Sequence, residues 1–165
     1  MKSLGAKDVA FAGIIAALYA AMTILLAPLS YGVYQVRVAE ALTVLPFLYP
    51  VAIVGLFIGC IVANIFGGNG LQDIIFGSSF TLLAAWLTYL TSKIKAREIA
   101  LALAPLPPVI INAFGVAAYL SQITGMTYFF VVQFVGIGQL AACYILGLPL
   151  LLFLIKKRKQ NPENK

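Results

Sequence analysis

Apolar residues run along this chain in long blocks, separated by short polar or glycine-rich interruptions. Residues 51–62 contain no charged or amide side chain at all. The blocks show neither the two-residue alternation of a half-buried strand nor the narrow stripe of a soluble surface helix. A segment apolar on every face suits lipid, and there a helix satisfies its own backbone hydrogen bonds. A membrane-barrel strand would alternate instead. About 20 apolar residues cross the hydrocarbon, and the blocks predict six spans, at about 9–29, 36–49, 51–66, 71–90, 99–120 and 128–155. Pro28 marks the end of the first. The second is short and opens with charges. Gly67-Gly68-Asn69-Gly70 is the clearest turn signal. Pro105, Pro107 and Pro108 make the start of the fifth irregular. Gly136, Gly138, Gly147 and Pro149 interrupt the sixth. The expectation is an all-α membrane protein, a six-helix bundle forming one integral membrane domain over residues 1–165.

Composition agrees. The chain of 165 residues is 62% hydrophobic and 10% charged, whereas a soluble domain is about half apolar and a quarter charged. Residues 9–29 are longer than a typical signal-peptide core and are expected to be a first span, not a cleaved leader. Histidine is absent, which excludes a histidine base or ligand. Cys60 and Cys143 lie inside apolar blocks, where small buried or lipid-facing residues are the ordinary reading.

Lysine and arginine set the expected orientation, since cytoplasmic loops are enriched in them. Lys2 and Lys7 precede the first span. Lys93, Lys95 and Arg97 lie between the fourth and fifth. Lys156, Lys157, Arg158, Lys159 and Lys165 follow the sixth. Six spans put all ten on one side, so both termini are expected in the cytoplasm. The net charge of +6 then reads as an orientation signal, not as a nucleic-acid surface.

Arg37 is the remaining basic residue. It is three positions from Glu40, close enough to share a helix face. A structural ion pair at the outer rim explains the two as well as contact with a polar solute does, because charges at this depth usually face a cavity or bundle interior. Asp73 is either a first-turn acid favoured by the helix N-terminus or an acceptor facing the same outer cavity as Glu40. Asn64, Asn112, Gln133 and Gln139 bridge helices or present paired donors and acceptors to a planar heterocycle. Tyr31, Tyr34, Trp86, Tyr119 and Tyr128 suit an interfacial belt, with Tyr34 and Tyr119 the best placed to stack on a flat ligand. Small residues recur every four positions in the first span, as Ala12, Ala16 and Ala20 beside Gly13, Ala17 and Ala21. Gly55, Gly59 and Ala63 repeat the pattern. Such strips admit close helix approach, within the chain or onto a partner subunit. No nucleotide-binding loop, metal cluster or nucleophile–base pair is visible, so neither a cofactor nor catalysis is expected. A self-contained carrier or channel is the competing class. Buried ionisable relays or inverted repeats with broken helices would mark it, and neither is clear.

The stretch Tyr34-Gln35-Val36-Arg37-Val38-Ala39-Glu40-Ala41-Leu42-Thr43-Val44-Leu45-Pro46, followed by Asn64 and Gly70-Leu71-Gln72-Asp73-Ile74-Ile75-Phe76-Gly77-Ser78, resembles the queuosine-precursor transporter (QueT) family. These are substrate-binding S components of energy-coupling factor (ECF) importers, and the similarity spans almost the whole chain. The resemblance implies a six-helix S-component bundle with an outward pocket, a 7-deazaguanine ligand such as preQ1 or queuine, and residence in a bacterial plasma membrane. It implies a membrane T subunit and two cytoplasmic ATPases as partners. Ala12, Ala16, Ala17, Ala20 and Ala21 would dock on the T subunit. Glu40 and Asp73 would accept from the ligand's ring N–H and amine groups, and the charged aminomethyl group of preQ1 would favour a second carboxylate. Arg37, Tyr34, Asn64, Gln72, Asn112, Tyr119 and Gln133 complete the implied substrate contacts.

Overall fold

A computed structural model of the chain describes residues 5–32 and 35–160. Tyr34, Lys2 and Lys165 lie outside the described residues. Helix α1 spans Ala6–Leu25 and is followed by the one-turn helix Ala27–Ser30. A 3₁₀ helix, Val38–Phe47, precedes α2, Ala52–Phe66. Then come α3, Asp73–Thr91, α4, Arg97–Thr124, and α5, Tyr128–Gln160. No strand occurs among the described residues. Helices α1, α3, α4 and α5 are long and apolar enough to cross a membrane, while the 3₁₀ helix and α2 are shorter apolar helices. The chain is an all-helical, multi-pass membrane protein.

The second expected span departs most from a plain transmembrane helix. Its ten residues are 3₁₀, not α. A 3₁₀ helix rises about 2.0 Å per residue, so ten residues reach about 20 Å where an α-helix would reach about 15 Å. Runs this long are uncommon because the hydrogen bonds are poorer. Here the surroundings hold it: Ala39, Glu40, Ala41, Thr43, Val44, Leu45 and Pro46 are all buried. The Thr43 hydroxyl donates to the Glu40 carbonyl at 2.6 Å. The glycines of α5 are its seat. A Cβ on Gly147 would lie 3.0 Å from the Ala41 carbonyl oxygen, and one on Gly138 would overlap the Gln35 carbonyl. The interruptions read in the last span therefore let the backbone of residues 35–41 press against α5.

α1 and α2 run parallel and almost in contact. Phe11 packs edge-on against Tyr49 with ring centroids 5.1 Å apart. A Cβ on Gly55 would lie 2.6 Å from the Ala12 carbonyl oxygen, and one on Gly59 would lie 2.7 Å from that of Ala16. One row of small residues is thus used internally: Ala12 and Ala20 are buried and Ala16 is half-buried. The neighbouring row, Gly13, Ala17 and Ala21, is exposed. The parallel pair is connected through the 3₁₀ helix, which runs back between them.

α4 breaks at Ala104 and Pro105, where Arg97–Leu103 gives way to Leu106–Thr124. The proline ring removes a backbone donor at that point. Two π segments widen the helices, Asp73–Gly77 at the start of α3 and Ala141–Gly147 within α5. Basic residues gather at one end of the bundle. Arg158 lies 6.0 Å over the Tyr49 ring, and Arg97, Arg158 and Lys159 line a common cavity with Phe47 and Leu48.

Candidate functional site

Polar side chains meet in the other half of the bundle, around the start of the 3₁₀ helix. Arg37, just before that helix, is 3% exposed, and Glu40 in its first turn is fully buried. Burying an unpaired ion costs several kcal/mol, so their partners define the site. The Tyr19 hydroxyl, from α1, donates to Glu40 Oε1. Thr81, from α3, donates to the same oxygen at 3.5 Å. Asn112, from α4, approaches the same carboxylate. Arg37 Nη2 lies 3.7 Å from Asp73 Oδ2, and the Arg37 guanidinium is 5.6 Å from the Tyr31 ring centroid.

Asp73 is more completely held. Tyr119 donates to Oδ1 at 2.6 Å, and Asn69 donates to Oδ2 at 3.0 Å. The wide π turn carries Asp73 inward, and Gly77 makes room for it. A Cβ on Gly77 would collide with Asp73 Oδ1 and lie 3.1 Å from both Asn64 Nδ2 and the Tyr119 oxygen. π turns of this kind recur at functional sites. Asp73 was read as a first-turn acid or a cavity acceptor. It stands in the first turn, but its carboxylate bonds across to α4 and to the Asn69 turn, not to its own helix end.

Cys60 lies at the centre. Its sulfur is 3.4 Å from both Asn64 Nδ2 and Thr81 Oγ1, 3.6 Å from the Tyr19 oxygen and 3.8 Å from Arg37 Nη1. Asn64 Nδ2 also donates to the Asp73 carbonyl at 2.8 Å. α1, α2, α3, α4 and the 3₁₀ segment therefore each place polar groups on one small volume.

Six polar atoms of this region are buried with no hydrogen-bond partner among the described residues. Three are donors, Gln35 Nε2, Arg37 Nε and Arg37 Nη2. Three are acceptors, Glu40 Oε2, Asn64 Oδ1 and Asn112 Oδ1. Each such group costs about 1–3 kcal/mol when left unmade, and folded proteins keep few of them. A polar solute carrying both donors and acceptors is what this set is equipped to hold. No group of three or more His, Cys, Asp or Glu side chains placed to hold a metal ion occurs among the described residues.

A family model described as the QueT transporter matches residues 9–156 of the chain. The chain belongs to the QueT transporter family. No curated protein and no solved structure matches it. Membership in a transport family, not an enzyme family, agrees with a buried cluster suited to binding, within a multi-pass membrane protein.

Of the substrate contacts expected for this QueT chain, Arg37, Glu40, Asn64, Asp73, Asn112 and Tyr119 come together in the cluster. Gln72 and Gln133 do not: both are exposed. Gln72 borders a shallow groove with Phe76 and Phe80. Tyr34 lies outside the described residues. Gln139 is buried, and its side-chain oxygen accepts from the Cys143 thiol at 3.7 Å. Sequence reasoning missed Tyr19, Gln35, Ser78 and Thr81, and gave Cys60 no role. For Tyr19 a signal existed: Ala12, Ile15, Tyr19 and Thr23 follow helical spacing and are the buried face of α1.

Proposed function

We propose that the chain is the substrate-binding S subunit of an ECF-type, ATP-driven importer that takes up a queuosine precursor, a 7-deazaguanine such as preQ1 or queuine. The carrying observation is the set of unmatched donors and acceptors around Glu40 and Asp73, in a chain of a transporter family. A deazaguanine presents ring N–H and amine donors on one edge and a carbonyl acceptor beside them. Glu40 Oε2 accepts from the donor edge, with charge-assisted bonds the strong ones of the set. Arg37 or Gln35 donates to the carbonyl, and Asn64 and Asn112 offer further acceptors. In this reading six segments cross a bacterial plasma membrane, counting the 3₁₀ helix and α2, as one membrane domain. The basic end faces the cytoplasm, so the cluster lies toward the outside, where a solute enters. A T subunit and two ATPases supply the energy, and the exposed row Gly13, Ala17 and Ala21 is the part of α1 left free to dock on the T subunit.

The test is binding by the purified chain, read as thermal stabilisation against preQ1, preQ0, queuine and guanine. At least one deazapurine should raise the midpoint in a saturable way. Failure of every deazapurine, with another vitamin succeeding, overturns the substrate. Co-purification with a T subunit and two ATPases supports the importer reading. Uptake by this chain alone in liposomes overturns it in favour of a self-contained carrier.

A further inference from the structure

Apart from the buried cluster, a cavity of 510 Å³ opens at the basic end of the bundle. Its charged lining is cationic: Arg97 from the start of α4, with Arg158 and Lys159 from the end of α5, beside the neutral hydroxyl of Ser92. Its floor is apolar, with Phe47 and Ile155. No acid lines it. Glu98, the neighbour of Arg97, is exposed and does not line the cavity. The ion pair found among the described residues joins Arg37 to Asp73, so no carboxylate among those residues pairs with these three cations.

A second cavity, of 410 Å³, shares the wall residue Ile94 with the first. It continues between α3 and α4, and Leu87, Leu90, Leu103 and Ile110 are among its walls. From Ile94 to Leu87 is about two helical turns, or about 10 Å along the bundle. A cationic mouth and an apolar channel therefore lie side by side, with Ile94 in the wall of both. Soluble phosphate matches the mouth alone. A neutral lipid matches the channel alone. A molecule with a phosphate at one end and a hydrocarbon tail matches both.

We propose that this composite site binds an anionic phospholipid, with its phosphate among Arg97, Arg158 and Lys159 and one acyl chain between α3 and α4. Basic recesses between membrane helices hold acidic headgroups in this manner. The chemistry requires only that this end of the bundle lies at a membrane surface, whichever face that is. It is independent of the solute carried.

Native mass spectrometry of the purified full chain tests it, with equal amounts of phosphatidylglycerol and phosphatidylcholine bearing the same acyl chains. The wild type should retain phosphatidylglycerol about tenfold more than phosphatidylcholine. The triple variant Arg97→Gln/Arg158→Gln/Lys159→Gln should lose that preference, and Lys159→Gln alone should reduce it in part. The control triple Lys95→Gln/Lys156→Gln/Lys157→Gln removes equal charge from exposed positions outside the cavity, and should keep it. Ile110→Trp, which fills the channel from an exposed position, should weaken retention with the thermal midpoint unchanged. Three results would overturn the proposal: equal loss in both triples, which means diffuse surface attraction; equal retention of the two lipids; or displacement by millimolar inorganic phosphate, which means a free-anion site.

Discussion

Gly59→Ala tests whether the parallel contact between α1 and α2 holds the buried cluster together. The added methyl would lie 2.7 Å from the Ala16 carbonyl oxygen, 2.9 Å from Tyr19 Cβ and 3.0 Å from Ala16 Cα. Ordinary contacts begin near 3.4 Å, so α1 must withdraw by about 0.7 Å, the difference between 3.4 and 2.7 Å. None of the three obstructing atoms is the end of a flexible side chain, so the shift falls on the helix. Overpacking of this kind costs about 1–3 kcal/mol, and replacing glycine by alanine within a helix offsets about 0.5–1 kcal/mol of it. For a chain of this size each kcal/mol moves the thermal midpoint by about 2–4 °C. Gly13→Ala is the matched control, because a methyl there meets nothing within 4 Å and gains only the helical advantage. The assay is thermal unfolding of both variants in one detergent, followed by ligand titration. Gly59→Ala should melt several degrees below Gly13→Ala. It should also bind the solute more weakly, since Tyr19 moves with α1 away from Glu40. Equal midpoints and equal affinities for the two variants would refute the reasoning.

Glu40→Gln should weaken deazaguanine binding about tenfold or more, the scale of one lost charge-assisted bond, as read by isothermal titration. Asp73→Asn should weaken binding too but also lower the thermal midpoint, because Arg37, Asn69 and Tyr119 all lean on it; unchanged affinity in both variants would sink their assigned roles. Tyr119→Phe strips one donor from a buried carboxylate and should cost about 1–3 kcal/mol of stability, measured by the same melts. Gly138→Ala drives a methyl into the Gln35 backbone, whereas at Gly136 it meets Ala113 Cβ at an ordinary 3.5 Å; only the first should displace Arg37 and impair binding.

Much of the helical plan can be read from the chain, because glycine and proline punctuate blocks whose lengths bracket a membrane. The charged members of the cluster are legible for the same reason. Arg37, Glu40 and Asp73 stand out against apolar neighbours, and a charge in such a setting needs a partner. Faces are harder. In a soluble helix the polar side identifies itself, but in lipid both the buried and the exposed sides are apolar. Gln133 and Gln139 therefore look alike in sequence, yet the first is exposed and the second buried. Cys60 gives no contrast at all, being a residue type that sits comfortably in either environment, and Tyr19 shows itself only through its helical spacing with Ala12, Ile15 and Thr23. The 3₁₀ helix leaves no trace in propensity. Its seat is tertiary, since Gly138 and Gly147 let the backbone of residues 35–41 close against α5.

The two acids of the cluster divide its work. Asp73 is matched within the chain: Tyr119 and Asn69 each give a hydrogen bond, and Arg37 balances the charge. Glu40 has Tyr19 and Thr81 on one oxygen and Asn112 close to the carboxylate, while Oε2 has no hydrogen-bond partner among the described residues. With Arg37 Nη2 3.7 Å from Asp73 and one Glu40 oxygen unbonded, Glu40 is the carboxylate whose burial is less compensated. A donor brought to Glu40 Oε2 thus recovers more free energy than the same donor brought to Asp73, because it removes a desolvation penalty instead of replacing an existing bond. Affinity should accordingly concentrate at Glu40, with Asp73 fixing the geometry of α3 and α4 around it.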